Sequence, residues 1–202
     1  MNAKTLTGHF LTPTGFVRGV LRCQDGRIES LEGQPVSEDE VRGADTPLIL
    51  PGFVDLHVHG GGGRDAMEGG DAVTTLARLH AQHGTTSLLA TTMTAPMAEI
   101  QQAVKAIGDH CRQRSSNAAR VLGVHLEGPF LNEQRLGAQP AYAQPANLRD
   151  VLRLHALAPL RLITLAPEVP PHLDLIAPLR AHGFVVQVGH SNGSYEDGVA
   201  AL

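Results

Sequence analysis

His57 and His59 are separated by one residue in the run Pro51-Gly52-Phe53-Val54-Asp55-Leu56-His57-Val58-His59, and four glycines, Gly60 to Gly63, follow it. In an extended strand alternate side chains share a face, so both imidazoles and Asp55 would point one way while Leu56 and Val58 point the other. Two neutral imidazoles converging on one point suit zinc or another divalent transition metal. Alone, a His-x-His pair is more often two strand-end histidines without a ligand. The rest of the chain decides, because His125-Leu126-Glu127-Gly128-Pro129, Ala166-Pro167-Glu168 and Gly189-His190-Ser191-Asn192 each close an apolar run in the same way. Imidazoles and a carboxylate brought from separate strands can hold a hydrolytic metal and leave a position open for water, which the metal would acidify into a nucleophile.

That convergence requires elements that end on one rim. Residues 51–202 repeat strand, loop and helix. Strands are expected over Phe53 to His59, Thr85 to Thr92, Val121 to Leu126, Arg161 to Leu165 and Phe184 to Val188, with helices near Asp71 to Gln82, Asn147 to Ala156 and Pro171 to His182. A further helix begins after Pro96, where Met97, Ile100, Val104, Ile107 and Cys111 recur at steps of three and four and form one apolar stripe. Serial βα units imply a parallel sheet, apolar runs this continuous fit strands buried on both faces, and chemistry belongs at the carboxyl ends of the strands. Residues 1–50 read instead as a small β module, with a strand over Phe16 to Cys23, a turn at Asp25-Gly26 and a returning strand over Ile28 to Leu31. The expected fold class is α/β: a partial (β/α)8 TIM-like barrel of about five βα units, preceded by a small β-sandwich segment. A complete barrel takes roughly 250 residues. The last stretch starts as a helix capped by Ser194 and Asp197 and stops at Leu202, so the chain is expected to be truncated.

The 202 residues are 42% hydrophobic with a formal charge of -4, which suits a globular core and argues against disorder. No apolar run approaches the ~20 residues of a membrane span, and Met1-Asn2-Ala3-Lys4 lacks the apolar core of a signal peptide, so a cytoplasmic protein is expected. Cys23 and Cys111 are expected as buried thiols without a disulfide. With 3% aromatic residues, no Trp and no basic stripe, nucleic acid is excluded as an expected partner.

The runs Pro51-Gly52-Phe53-Val54-Asp55, Val124-His125-Leu126-Glu127-Gly128-Pro129-Phe130, Thr164-Leu165-Ala166-Pro167-Glu168 and Val188-Gly189-His190-Ser191-Asn192 together resemble the N-acetylglucosamine-6-phosphate deacetylases of the amidohydrolase superfamily. The first run is common to many amidohydrolases, whereas the second and fourth together are specific to these deacetylases. The resemblance covers essentially the whole chain. It implies metal-dependent hydrolysis of the acetamide of N-acetyl-D-glucosamine 6-phosphate, an amino-sugar phosphate as the small-molecule partner, zinc or iron as one or two ions, and a homodimer when full length. It also implies Glu127 and His190 as metal ligands, joined by His57 and His59 in a two-metal site with Glu127 as the bridge. The only lysines, Lys4 and Lys105, lie away from the expected rim, which disfavours the carbamylated-lysine sites of other amidohydrolases.

The resemblance further implies substrate contacts from Ala138 and Gln139. Gln139 stands where the family usually carries histidine, and it can donate and accept hydrogen bonds but cannot become cationic. A different N-acetyl sugar or a cyclic amide therefore remains open as the substrate, and a non-catalytic fragment remains open for these residues alone. A further histidine ligand and the catalytic aspartate are expected beyond Leu202, so no catalytic residue is assigned here. His125 is expected to support the ligands from behind, Asp55 to support the metal or cap the loop, and Glu168 to be structural. Gly60 to Gly63 either let the backbone pass close to the site or form a mobile loop. His80, His83, His110, His155, His172 and His182, in or beside helices, are expected at the surface, and the Asn192-Gly193-Ser194 sequon carries no meaning in a cytoplasmic chain.

Overall fold

The computed structural model describes residues 3–113 and 115–202; Met1 and Asn2, at the start considered above for a signal peptide, and Arg114 lie outside the described residues. The described residues form two compact units, one up to Gly52 and the other Phe53–Leu202.

The first unit is a four-stranded sheet in the order β3-β2-β1-β4, built from β1 (Ala3–Thr12), β2 (Gly15–Gln24), β3 (Arg27–Val36) and β4 (Leu48–Ile49). β1, β2 and β3 run antiparallel, and β4 returns parallel to β1. Asp25 and Gly26 turn β2 into β3 with φ of 50° and 79°, the positive pair that a two-residue hairpin needs to match strand twist. β1 is absent from the sequence expectation because its polar and apolar residues mix, and only Gly8 is buried with His9 and Phe10. Between β3 and β4, Ser37 and Glu40 form a capping box on α1 (Glu38–Arg42).

The second unit is α/β. Its sheet is parallel throughout and curls as a half-barrel in the order β11-β10-β9-β8-β5. The strands are β5 (Phe53–Val58), β8 (Thr85–Thr91), β9 (Arg120–Glu127), β10 (Leu160–Leu165) and β11 (Val185–Val188). After β5 the glycines form a two-stranded hairpin, β6 (Gly60–Gly61) with β7 (Arg64–Asp65). The helices α2 (Asp71–Gln82), α3 (Met97–Arg112), α4 (Leu148–Leu157), α5 (His172–Ala181) and α6 (Tyr195–Ala201) fall where hydrophobic period and caps place them. In α3 the stripe buries Ile100, Val104 and Ile107 completely, with Met97 and Cys111 packed at its margins. Asn147 accepts a hydrogen bond from Asp150 N to start α4, and Ser194 and Asp197 form the expected box on α6.

Three expectations are corrected. Burial on both faces holds for β8, β9 and β10 but not for the edge strands, where Phe53, Val54 and Leu56 of β5 and Val185 and Val188 of β11 are exposed. An edge strand lacks the neighbour that would cover it, and an apolar run alone does not reveal strand order. Cys23 and Cys111 are free but only partly buried. His172 is not a surface residue: it is fully buried, its Nδ1 lies 2.8 Å from Ala166 O, and its Nε2 accepts from Ala146 N at 2.8 Å. Among the described residues no helix is long and apolar enough to cross a membrane.

The His172 ring ties the long β9–α4 connection to the end of β10 in its neutral form, because Nε2 must accept. Burial holds its pKa below the ordinary value of 6.5, outweighing the Ala166 carbonyl and the Glu168 charge. The unfolded chain therefore binds a proton that the native state refuses, and the stabilisation present above pH 6.5 is lost as pH falls below it. His172→Ala is expected to lose about 2–4 kcal/mol at neutral pH and to show a flatter stability profile below pH 6.5 than the unmodified chain in denaturant titrations.

Candidate metal centre

The end of β5 delivers both imidazoles to one point. His57 Nε2 and His59 Nε2 are 3.0 Å apart, and Glu127 Oε2, from the end of β9, lies 2.9 Å from His59 Nε2 and 3.8 Å from His57 Nε2. These three ligand atoms all lie within 4.8 Å of one another. His190, just past β11, approaches the other carboxylate oxygen, with its Nε2 3.4 Å from Glu127 Oε1. Neighbouring ligand atoms of a tetrahedral zinc site stand ~3.4 Å apart, as bonds of about 2.0–2.2 Å require, so the donor set fits a divalent metal in both chemistry and spacing. The site is open on one side: His57 is exposed, His59 and His190 are partly buried, and Glu127 is only 5% exposed.

Burial pushes the Glu127 carboxyl up, but the His59 hydrogen bond and the charges of His57, His59 and His190 outweigh burial and hold it below its ordinary range. The same hydrogen bond raises His59 against the opposing effect of its own desolvation. His59 Nδ1 is buried without a well-formed hydrogen bond. A ring whose Nε2 faces a carboxylate is poised either to share a proton with Glu127 or to coordinate a cation.

The backbone under these ligands is held by threonines that the sequence reading did not assign. Val58 N donates to Thr91 Oγ1 at 2.8 Å, locking β5 between the two histidines, and Glu127 N donates to Thr92 Oγ1 at 3.2 Å. Thr91, Thr92 and Thr94 are fully buried just where β8 ends. The polar cluster Thr91-Thr92-Met93-Thr94 after an apolar strand was the available signal.

The remaining candidates are not equivalent. His125 is fully buried beneath the site, with Nδ1 3.1 Å from Leu56 O and Nε2 2.7 Å from Thr164 Oγ1. Burial, aided by the nearby His57 charge, lowers its pKa to about 4, so it stays neutral and orients the strand under His57. Asp55 accepts from His57 N at 3.1 Å, a contact to the backbone and not to an imidazole. Gln139, expected against substrate, is buried and both ends of its amide are engaged: Oε1 accepts from Thr94 N at 2.6 Å, and Nε2 donates to Glu127 Oε2 at 2.7 Å. Ala138 is exposed beside it. Glu168 binds Asn132, Ser191 and Asn192 and touches none of the ligands.

Two outcomes follow from these contacts. In the metal-free protein, Glu127→Gln is expected to lower the His59 pKa, since the acceptor charge goes and the desolvation stays; histidine NMR titration reads it, and an unchanged His59 would contradict the geometry. Gln139→Leu strands Thr94 N and leaves Glu127 Oε2 with His59 as its remaining close partner, and is expected to cost about 1–3 kcal/mol in denaturant unfolding.

No protein-family model matches the chain. Curated relatives do: N-acetylgalactosamine-6-phosphate deacetylase of Escherichia coli O157:H7 is 38% identical over 186 residues, covering 90% of this chain and 48% of the relative. N-acetylglucosamine-6-phosphate deacetylase of Lysinibacillus sphaericus is 35% identical over 181 residues, covering 86% of this chain and 46% of the relative. Among solved structures, N-acetyl-D-glucosamine-6-phosphate deacetylase of Mycobacterium smegmatis, crystallised as a mutant with N-acetyl-D-glucosamine-6-phosphate, superposes with a TM-score of 0.82 at 29% identity over 100% of this chain and 53% of that one. The Thermotoga maritima enzyme superposes with a TM-score of 0.80 at 26% identity, over 97% and 51%. The chain spans about half the length of the curated relatives it matches. These matches bear out the resemblance drawn from the motifs: the chain is a homologue of the N-acetylglucosamine-6-phosphate deacetylases, matched over most of its own length and about half of theirs.

Proposed function

We propose that the protein hydrolyses the acetamide of N-acetyl-D-glucosamine 6-phosphate to D-glucosamine 6-phosphate and acetate. The observation that carries this reading is the meeting of His57, His59 and Glu127, with His190 on the second carboxylate oxygen, in a chain homologous to deacetylases of this substrate. The half-barrel then corresponds to the first βα units of a (β/α)8 barrel and the first unit to part of a small β-sandwich.

In this reading His57, His59 and Glu127 would hold a divalent ion, with His190 on the other carboxylate oxygen as a further donor. A metal so bound supplies Lewis acidity toward the amide carbonyl and lowers the pKa of water. The protein's own contribution is positional. Glu127 stays ionised because the surrounding imidazoles and the Gln139 amide stabilise its charge. His125 stays neutral, so it adds no positive charge beneath the cation. Gln139 acts on Glu127, which leaves the exposed Gly137-Ala138 backbone of the same loop to meet the substrate.

Acetate release by the full-length protein tests the assignment. Glu127→Gln is expected to lower turnover by at least ~10²-fold, since a ligand is lost rather than a partner of one, and an unaffected rate would sink it. A second reading follows from the relative named for N-acetylgalactosamine 6-phosphate: the substrate is the galacto epimer, and kcat/KM measured side by side on the two 6-phosphates separates them. Residues 1–202 alone are expected to be inactive and to self-associate in size-exclusion chromatography, because β5 and β11 expose apolar edge residues; turnover by that polypeptide would overturn the expectation.

A further inference from the structure

His190 reaches Glu127 from an unusual backbone. Its φ is +51°, left-handed for a residue with a β-carbon, and such a conformation persists only where surrounding contacts over-determine it. Gly189 N donates to Leu165 O at 3.1 Å and ends the β10–β11 ladder, after which the chain reverses. Two contacts grip His190 itself: its carbonyl accepts from Asn132 N at 3.1 Å, and its Nδ1 lies 2.8 Å from Arg135 O, which leaves Nε2 free to face Glu127.

Both of those contacts come from the Asn132–Arg135 segment, and that segment and the 190–193 loop share one anchor. Glu168 Oε1 accepts from Asn132 Nδ2 at 2.8 Å and from Asn192 N at 2.7 Å, while Oε2 accepts from Ser191 Oγ at 2.6 Å. Ser191 Oγ in turn accepts from Gly193 N at 2.9 Å. A β-carbon on Gly193 would come within 3.1 Å of Glu168 Oε2, so the loop lies directly against the carboxylate. One side chain at the end of β10 thus clamps the two segments between which His190 is held. Ionised acceptors make the stronger hydrogen bonds, and three donors converge on this one.

We propose that Glu168 is a positioning residue for His190: by joining the Asn132 segment to the Ser191-Asn192 turn it imposes the left-handed backbone that aims Nε2 at Glu127 and so sets metal affinity on that side of the centre. This rests on the metal-centre reading above and adds to it a residue that touches neither the metal ligands nor the opening.

Direct Co²⁺ titration of the full-length apoprotein, followed by the cobalt d–d spectrum, reads the effect without reference to turnover. Glu168→Ala is expected to weaken the His190-dependent Co²⁺ binding by about 10–100-fold and to alter its spectrum, as loss of a partner orienting a ligand does. Glu168→Gln keeps a carbonyl for Asn132 and Asn192 and is expected to recover most of that loss. Because Glu168 acts through His190, Glu168→Ala added to His190→Ala should change affinity no further. Should Glu168→Ala fail to fold, Ser191→Ala removes one strut and is expected to weaken binding in the same sense, and its full affinity would overturn the proposal. A folded Glu168→Ala with unaltered affinity and spectrum, or a full additive loss in the His190→Ala background, would also overturn it. No Co²⁺ binding by the unmodified protein would remove the metal-centre reading and this inference together; binding unaffected by Glu168→Ala would remove this inference alone.

Discussion

The rim of the half-barrel is organised around one desolvated carboxylate. Glu127 is 5% exposed, and an ionised group so placed is tolerated only when its lone pairs are taken up by donors or cations. His59 and Gln139 satisfy Oε2, while His57 and His190 stand at hydrogen-bond to ion-pair range. They come from the end of β5, the connection after β9 and the turn after β11, so the electrostatic need of one side chain on β9 draws all of these toward a single point. Removing the carboxylate would leave imidazoles facing one another, with His57 Nε2 and His59 Nε2 only 3.0 Å apart.

Beneath that centre lies a layer of neutral hydrogen bonds that keeps the ligands from drifting. Thr91 and Thr92 fix the backbone of Val58 and Glu127, and His125 spans from Leu56 O to the Thr164 hydroxyl. Thr91, Thr92 and His125 are fully buried, and a buried polar group without a partner would cost about 1–3 kcal/mol. Their mutual satisfaction therefore favours one arrangement of the strand ends over its neighbours, and the ligand geometry inherits that precision. Gly128 adds a steric condition: at φ +77° a β-carbon there would collide with Thr94 Oγ1 and the Thr94 backbone, so the chain leaving Glu127 can pass this close to the β8 end only as glycine.

Much of this was legible in the sequence. Asp71 to Gln82 coincides with α2, the Met97-Ile100-Val104-Ile107 stripe with the buried face of α3, and the Ser194 and Asp197 box with the start of α6, because helical period and capping are local properties. The parallel direction of the five strands followed from their alternation with helices. Less legible were the exposure of β5 and β11, the burial of His172 and the β1 strand, all of which depend on what lies next to a segment in space.

Residue type and spacing by themselves determined the chemistry on offer: His57, His59, Glu127 and His190 are side chains able to ligate a metal at the ends of apolar runs, and their shared rim follows from strand polarity and the period of two. Only the tertiary structure decided how they are used. Gln139 lies 12 positions from Glu127 yet bonds to it, a support for the carboxylate that the sequence alone did not announce. Glu168 lies 36 positions from Asn132 and 23 from Ser191 and joins them. Such roles are set by the approach of loops from separate βα units, where the direction of a side chain depends on backbone reversals such as that at His190, which neither composition nor periodicity encodes.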